Sequence, residues 1–274
     1  MYSLIRGTTS EIQKLECTLR WWAAQYDRKG GGRDVFIRDG DCLFVLTGAM
    51  IWLIERGDFR KERFFTEPCP VNLKYQAGCL REAEFLRSYQ AEACVAALSA
   101  HWRRGIIEAP TGSGKTRIAA GIISLGILHG VTRWVYLVQN KNLALQSSKS
   151  FEELVPKMLL RLYQAEPRHR PTPDYKVACG SYETTQPDIL ASAGGLIVDE
   201  VHSVASRTRM QAMAPCRAHI RIGMSATPLL RQDAGNALVA GVFGPVVYKI
   251  GMEVLQKAGH LAKGKVTTLE VNHG

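Results

Sequence analysis

Eight consecutive residues of this chain have the composition of a phosphate-binding loop. They run from residue 109 to residue 116 and fit the pattern G-x-x-x-x-G-K-[ST] if Ala109 takes the place of the first glycine. Glycines let backbone N–H groups approach phosphate oxygens, and the N-terminus of the following helix adds positive potential. The predicted phosphate-binding set is Ala109, Pro110, Thr111, Gly112, Ser113, Gly114, Lys115 and Thr116.

Two adjacent carboxylates, Asp199 and Glu200, follow the apolar run at residues 196–198. At the end of a strand, Asp199 can hold Mg²⁺ directly or through water, and Glu200 can act as the general base that polarises the attacking water. We expect Lys115 to reach the β- and γ-phosphates and the Thr116 hydroxyl to bind the same Mg²⁺. The predicted cofactors are therefore ATP and Mg²⁺, with Lys115, Asp199 and Glu200 catalytic and with Thr116 and Asp199 as metal ligands.

A third motif, at residues 222–228, places small hydroxyl side chains after an apolar strand. We expect Ser225 and Thr227 to hydrogen-bond His202 or the acidic pair, which would link the state of the nucleotide to another surface. The alternative is a Ser/Thr turn that only precedes Pro228.

The elements that must position these motifs alternate between strand and helix from about residue 81 onward, which is typical of a parallel sheet covered by helices. Strands are predicted at residues 106–107, 134–138, 176–179, 196–198, 221–224 and 246–248. Residues 265–274 would begin a connection to a further domain, with the start of a strand at 265–271.

The first 70 residues have a different pattern, which predicts a small α+β domain. A capping box at residues 10–13 would open a helix with Ile12, Leu15, Leu19 and Trp22 on one face. Strands are expected at 35–37, 43–46 and 64–65, and a short helix at 49–55. Residues 71–80 would be a linker.

The overall composition indicates a polyanionic partner. It also indicates that the protein is located in a reducing compartment. A net charge of +10 favours nucleic acid, although charge that serves only solubility is the alternative. No apolar run reaches transmembrane length, the N-terminus does not resemble a signal peptide, and the seven cysteines contain no C-x-x-C pair. We expect a protein that is neither membrane-bound nor secreted, located in the cytoplasm or nucleoid, or in the host cytoplasm if viral.

The order Gly-Lys-Thr, Asp-Glu-x-His, Ser-Ala-Thr-Pro resembles the first RecA-like domain of the superfamily 2 helicases and translocases. Residues 228–235 and 242–248 are most similar to the branch that contains XPB and the phage helicase UvsW. The resemblance covers about residues 81–264. It implies an α/β fold, a RecA-like P-loop NTPase with helices on both faces of a parallel sheet, preceded by the small domain at residues 1–70.

The resemblance also implies roles for individual residues. Residues 86–90 are similar to the segment whose arginine and glutamine contact adenine and phosphates, which selects Arg87 and Gln90. His202, Ser225 and Thr227 would couple nucleotide state to movement. Residues 137–146 and 179–184 resemble the two motifs that line the nucleic-acid track, which selects Gln139, Asn140, Lys141, Ser181 and Tyr182.

These expectations converge on an ATP-dependent DNA helicase or translocase, represented by an N-terminal DNA-recognition module and a first motor domain. Its partner would be single-stranded or branched DNA, with RNA left open, and the chain would be a monomer. The family's second RecA-like domain would supply an arginine finger, so the isolated chain should be weakly active or inactive. Residues 207–209, with two arginines, are expected in a solvated loop rather than as a substitute for that finger. The alternatives are a viral DNA-packaging ATPase and a non-catalytic DNA-binding fragment.

Overall fold

The computed structural model of the chain describes residues 2–6, 8–25, 35–39, 42–46, 49, 52–53, 85–100, 103–155, 162–165, 174–230 and 235–262. The predicted strands at 64–65 and 265–271 and the linker at 71–80 lie outside these residues, so the domain boundaries stay predictions. Among the described helices, none combines the length and the apolarity that a membrane crossing requires.

The N-terminal part is a three-stranded antiparallel sheet with one helix. Strands β1 (Tyr2–Arg6), β2 (Phe36–Asp39) and β3 (Cys42–Leu46) lie in the order β1-β3-β2, and α1 (Thr9–Ala24) connects the first two. The described residues of the predicted helix at 49–55, namely Ala49, Trp52 and Leu53, are helical. The sequence patterns missed β1, a strand of only five residues.

The capping box predicted at residues 10–13 is wrong, because the box lies two residues earlier. Glu11 N donates to Thr8 Oγ1 at 3.3 Å, and Thr8 N donates to Glu11 Oε2 at 2.9 Å. This register places the Glu11 carboxylate in the first turn of α1, where the helix dipole stabilises negative charge. The predicted apolar face is confirmed, since Ile12, Leu15, Leu19 and Trp22 are buried.

The larger part is built on seven parallel strands in the order β10-β4-β9-β8-β5-β7-β6. The six predicted strands are present, and β6, a three-residue strand at the edge, was missed because it is too short to give a pattern. The strands are β4 (Arg104–Glu108), β5 (Trp134–Val138), β6 (Leu162–Gln164), β7 (Val177–Ser181), β8 (Gly195–Asp199), β9 (Ile220–Ser225) and β10 (Val246–Lys249).

Seven α-helices and a 3₁₀ helix at Val201–Ala205 accompany this sheet within the described residues. The α-helices are α2 (Ser88–Ser99), α3 (Lys115–Leu128), α4 (Lys141–Leu154), α5 (Pro187–Ser192), α6 (Arg207–Met213), α7 (Gly235–Phe243) and α8 (Met252–Lys257). The prediction of a solvated loop at residues 207–209 is wrong, because these residues form the first turn of α6. Ser206 caps that turn by accepting a hydrogen bond from Arg209 N at 3.4 Å.

Alternate residues of the strands enter two apolar clusters, one on each face of the sheet. Trp134, Tyr136 and Ile197 pack with residues of α2, α3 and α4. Val135 and Leu137 belong to the other cluster, with residues of α5, α6 and α7. The expected parallel α/β fold with helices on both faces is therefore confirmed.

The N-terminal part shares the second of these clusters. Its buried side chains, among them Ile5, Leu19 and Leu43, belong to the same contiguous core as Val242 and Phe243 of α7. The approach is close at Gly241, where an added Cβ would lie 2.7 Å from Leu46 Cδ1. The two parts therefore pack directly against each other through α7 and β3.

The Trp134 indole is held between two glycines, which gives a stability prediction. A Cβ at Gly195 of β8 would overlap one edge of the ring, and a Cβ at Gly126 of α3 would overlap another. Because the ring is fully buried and has no side to which it can withdraw, we expect Gly195→Ala to lower the free energy of unfolding by about 2–3 kcal/mol, as overpacking does.

The matched control for that substitution is Gly251→Ala, since nothing lies within 4 Å of an added Cβ there and φ is −85°. This substitution should lower the free energy of unfolding by less than about 1 kcal/mol, which is the cost of a weakened N-cap. Chemical denaturation of both variants measures the difference, and equal unfolding midpoints would contradict the packing argument.

Candidate active site

The predicted site residues come together at the carboxyl edge of the central sheet. The 109–114 loop follows β4, Asp199 ends β8 and is followed by Glu200, and Ser225 ends β9 and is followed by residues 226–227. These three strands are neighbours in the order β4-β9-β8, so motifs distant in sequence lie side by side. This edge is where open parallel α/β sheets bind their ligands.

The 109–114 loop leaves its backbone donors open. Gly112 and Gly114 have φ values of 83° and 78°, which favour glycine, and Gly114 is the N-cap of α3. Within the described part of the chain, the amides of Gly112, Gly114, Lys115 and Thr116 donate no hydrogen bond. Ala109 is fully buried and packs in an apolar cluster. Its methyl group therefore fills space that a glycine at this position would leave empty.

Side chains of α2 hydrogen-bond the backbone of this loop. Gln90 Nε2 and Tyr89 Oη donate to the Ser113 carbonyl at 2.9 and 2.7 Å, and Gln90 Oε1 accepts from Arg87 N at 3.0 Å. A Cβ at Gly114 would lie 2.5 Å from Gln90 Nε2, so the hydrogen bond from Gln90 to the loop requires glycine at that position. Gln90 is therefore buried and engaged with the loop backbone, whereas Arg87 is exposed. Tyr89 was not predicted as a site residue.

The acidic pair faces the loop lysine. Lys115 Nζ lies 3.4 Å from Glu200 Oε1. Glu200 has a left-handed backbone with φ of 49°, which turns the chain sharply between β8 and the 3₁₀ helix, and its N–H donates to Asp199 Oδ1 at 3.0 Å. Burial raises the pKa of the Asp199 carboxyl group, and the nearby charge of Lys115 opposes that rise.

Glu200, Ser225 and His202 form one hydrogen-bonded group. Ser225 Oγ donates to Glu200 Oε2 at 3.1 Å, accepts from Thr227 N at 3.1 Å, and lies 3.0 Å from His202 Nδ1. Because the single Ser225 proton is given to Glu200, the network requires His202 to carry its proton on Nδ1. The expected contact between Ser225 and His202 is thus present, and Thr227 takes part through its backbone.

A small residue in β9 lets the 3₁₀ helix approach the sheet. A Cβ at Gly223 would lie 2.7 Å from Val201 Cγ2, the first residue of that helix. This close packing places His202 opposite Ser225, which is two residues after Gly223 in the same strand.

A further residue, Tyr136 of β5, enters the site without having been predicted. Its hydroxyl donates to Asp199 Oδ2 at 3.1 Å. Burial, together with the Asp199 charge, raises the pKa of Tyr136 well above its usual value. The available signal was a tyrosine in an otherwise apolar central strand, since a buried hydroxyl needs a partner.

The five residues predicted to contact nucleic acid differ in exposure. Gln139, Asn140 and Lys141 lie where β5 meets α4, with Asn140 and Lys141 exposed and Asn140 Oδ1 capping the helix by accepting from Leu143 N at 3.0 Å. Ser181 is buried with its Oγ 3.2 Å from Thr184 Oγ1. Tyr182 is also buried, and the Arg209 guanidinium lies 5.1 Å from its ring centre. Their roles stay predictions.

The donor set fits a magnesium–nucleotide complex. Open amides at a helix N-terminus and the Lys115 amine suit phosphate oxygens. The Thr116 hydroxyl and the Asp199 carboxylate are oxygen ligands, and Mg²⁺ commonly takes one or two protein ligands beside phosphates and water. The buried Ser113 Oγ, which has no partner among the described residues, is a further polar atom at the loop.

Known proteins share both this sequence pattern and this fold. Residues 84–230 match the family described as "Type III restriction enzyme, res subunit". The chain is 27% identical over 238 residues to the XPB subunit of the general transcription and DNA repair factor IIH from Encephalitozoon cuniculi. It is 30% identical over 199 residues to the DNA 3'-5' translocase XPB2 of Sulfurisphaera tokodaii.

The matched regions cover 80% and 68% of this chain but only 33% and 40% of these two relatives. The crystal structure of the UvsW helicase from bacteriophage T4 superposes with a TM-score of 0.63 over 89% of this chain and 95% of that chain. At 16% identity, this likeness concerns the fold.

The family match and the relatives agree with the resemblance inferred from the motif order. The chain belongs to the type III restriction enzyme res-subunit family, as a first RecA-like domain of the superfamily 2 helicases and translocases near the XPB branch, and it shares the fold of UvsW.

Proposed function

We propose that the chain is the first motor lobe of an ATP-dependent DNA helicase or translocase, together with an N-terminal module that recognises DNA. The observation that carries this proposal is the continuous group Lys115–Glu200–Ser225–His202, which joins the phosphate loop to the end of β9. A phosphate loop alone would support only nucleotide binding.

Bound ATP and Mg²⁺ would supply the transferable phosphoryl group and the charge that neutralises it. The chain's own residues do the remaining work. The open amides of the loop and the Lys115 amine hold the phosphates, while Thr116 and Asp199 would hold the metal ion. Glu200 accepts a proton from the attacking water, and the Ser225 hydroxyl at 3.1 Å orients its carboxylate.

The proposed coupling role of His202, Ser225 and Thr227 follows from their shared contacts. Any change in the charge or position of Glu200 alters the hydrogen bond that Ser225 donates, and Ser225 in turn contacts Thr227 N and His202. Movement of Glu200 on hydrolysis would therefore change the hydrogen bonds at two other segments of the chain.

The remaining parts of the proposal concern the whole protein. A second RecA-like lobe would supply an arginine finger and the far wall of the ATP site. The proposed division is a domain at residues 1–70, a linker at 71–80, the motor lobe at 81–264 and the connection at 265–274. The protein would act as a monomer in the cytoplasm or nucleoid, on single-stranded or branched DNA, with RNA as the alternative.

The decisive experiment measures ATP hydrolysis with and without single-stranded DNA, in a protein that carries this chain and a second lobe. We expect hydrolysis that depends on Mg²⁺ and is stimulated by DNA. Nucleic-acid binding that is unaffected by ATP, together with no hydrolysis, would instead support a non-catalytic DNA-binding protein.

Nucleic-acid binding gives a further prediction at Lys141, which is exposed at the start of α4. If this amine contacts a phosphate, Lys141→Ala weakens binding to oligonucleotides of different sequence by a similar factor and reduces the slope of log K against log salt by about 1. Fluorescence anisotropy at several salt concentrations measures both quantities.

The control for Lys141 is Lys149→Ala, which removes an equal charge from an exposed position farther along α4. It should leave the salt slope unchanged. Equal effects of the two substitutions would mean that only net charge matters, and affinity that does not change with salt would remove the electrostatic argument altogether.

A further inference from the structure

The Tyr136 hydroxyl contacts Asp199, one of the two side chains that we propose as metal ligands. It donates a hydrogen bond to Asp199 Oδ2 at 3.1 Å. Tyr136 belongs to β5, and Asp199 is the last residue of the neighbouring strand β8. The phenol thus connects a central strand of the sheet with the carboxylate at the end of the acidic strand.

Packing explains a ring at this position but does not explain the hydroxyl. The Tyr136 ring is fully buried and meets the Phe151 ring edge-on, with 5.0 Å between centres and 81° between planes. Phenylalanine would fill the same space, and the other residues of β5 are apolar. Burying a hydroxyl is unfavourable unless it is hydrogen-bonded, and the Tyr136 hydroxyl donates to a residue of the site, Asp199.

The direction of each proton makes the arrangement suitable for a cation. Asp199 Oδ1 accepts from Glu200 N at 3.0 Å and Oδ2 accepts from Tyr136, so both oxygens are fixed and each keeps a free lone pair. A carboxylate held in this way can still offer an oxygen to Mg²⁺, because each donor occupies only one lone pair.

We propose that Tyr136 is a positioning residue, which orients the Asp199 carboxylate so that it can serve one Mg²⁺ ion together with the Thr116 hydroxyl. This inference rests on the proposed nucleotide-binding function. Groups that hydrogen-bond metal ligands commonly change metal affinity by about 10- to 100-fold when they are removed.

The test is Tyr136→Phe, which removes a single oxygen atom. Binding of a fluorescent ATP analogue is titrated in EDTA and then over a range of Mg²⁺ concentrations. We expect the affinity in EDTA to stay within about twofold, while the Mg²⁺ concentration for half-maximal enhancement of binding rises about tenfold. A purely structural role would not separate these two quantities.

The matched control is Tyr175→Phe, because Tyr175 is also buried and its hydroxyl lies 3.1 Å from Ser192 Oγ, outside the site. It should leave the Mg²⁺ dependence unchanged. An unchanged Mg²⁺ dependence in Tyr136→Phe overturns the inference, as does an equal loss of binding in EDTA. If the unaltered chain binds the analogue with no dependence on Mg²⁺, the inference fails, and if it binds no analogue at all, the proposed function fails as well.

Discussion

Replacing Lys115 by alanine is expected to weaken nucleotide binding by about 10- to 100-fold, the value of one or two lost hydrogen bonds between charged groups. The loop amides and the N-terminus of α3 remain in this variant, so binding is reduced rather than abolished. Titration of the chain with a fluorescent ATP analogue in the presence of Mg²⁺ measures the dissociation constant.

Hydrolysis should fall further than binding in the same variant. Lys115 Nζ lies 3.4 Å from Oε1 of Glu200, the proposed base. Without the lysine, both the developing phosphate charge and the Glu200 carboxylate lose a positive neighbour. Lys149→Ala, on the exposed surface of α4, is the control and should bind the analogue like the unaltered chain. An unchanged affinity in Lys115→Ala would remove Lys115 from the phosphate site.

The convergence of the three motifs was predictable because their strands run parallel. The carboxyl ends of parallel strands share one edge, so the 109–116 loop, the acidic pair and Ser225 were expected to lie close together. Their order was not predictable, since periodicity carries no information about which strands are neighbours. The structure places β9 between β4 and β8, which is why Ser225 lies between the loop and the acidic pair.

The residues that the sequence missed act through contacts between distant segments. Tyr136 and Asp199 are 63 positions apart, and Tyr89 and Ser113 are 24 positions apart. A buried tyrosine in an apolar strand indicates that its hydroxyl has a partner, but only the fold identifies that partner. β6 was missed for a related reason: a three-residue strand gains its stability from its neighbour β7 rather than from its own pattern.

A sequence motif predicts the position of a residue in the fold better than it predicts the burial of its side chain. Gln90 lies at the start of α2, and Ser181 lies at the end of β7. Both side chains are nevertheless buried and hydrogen-bonded within the chain. A motif identifies which segment lies at the site, whereas the direction of each side chain depends on the neighbours that pack against it.

The second large effect is expected from Glu200→Gln, which keeps the shape of the side chain and removes its charge. If Glu200 is the general base, the rate of DNA-stimulated hydrolysis falls by about 10²- to 10⁴-fold. The glutamine can still accept the hydrogen bond that Ser225 donates at 3.1 Å, so the surrounding group should keep its geometry.

Nucleotide binding should respond to Glu200→Gln in the direction opposite to its response to Lys115→Ala. In the structure Glu200 Oε1 lies 3.4 Å from Lys115 Nζ, and phosphates must compete with this carboxylate for the lysine. Removing the negative charge leaves the amine available, so we expect the ATP analogue to bind as well as before or more tightly. Glu153→Gln, an exposed position on α4, is the control for charge. Hydrolysis above a tenth of the unaltered rate would mean that another group accepts the proton, whereas a loss of binding as large as that of Lys115→Ala would place Glu200 in nucleotide binding instead of catalysis.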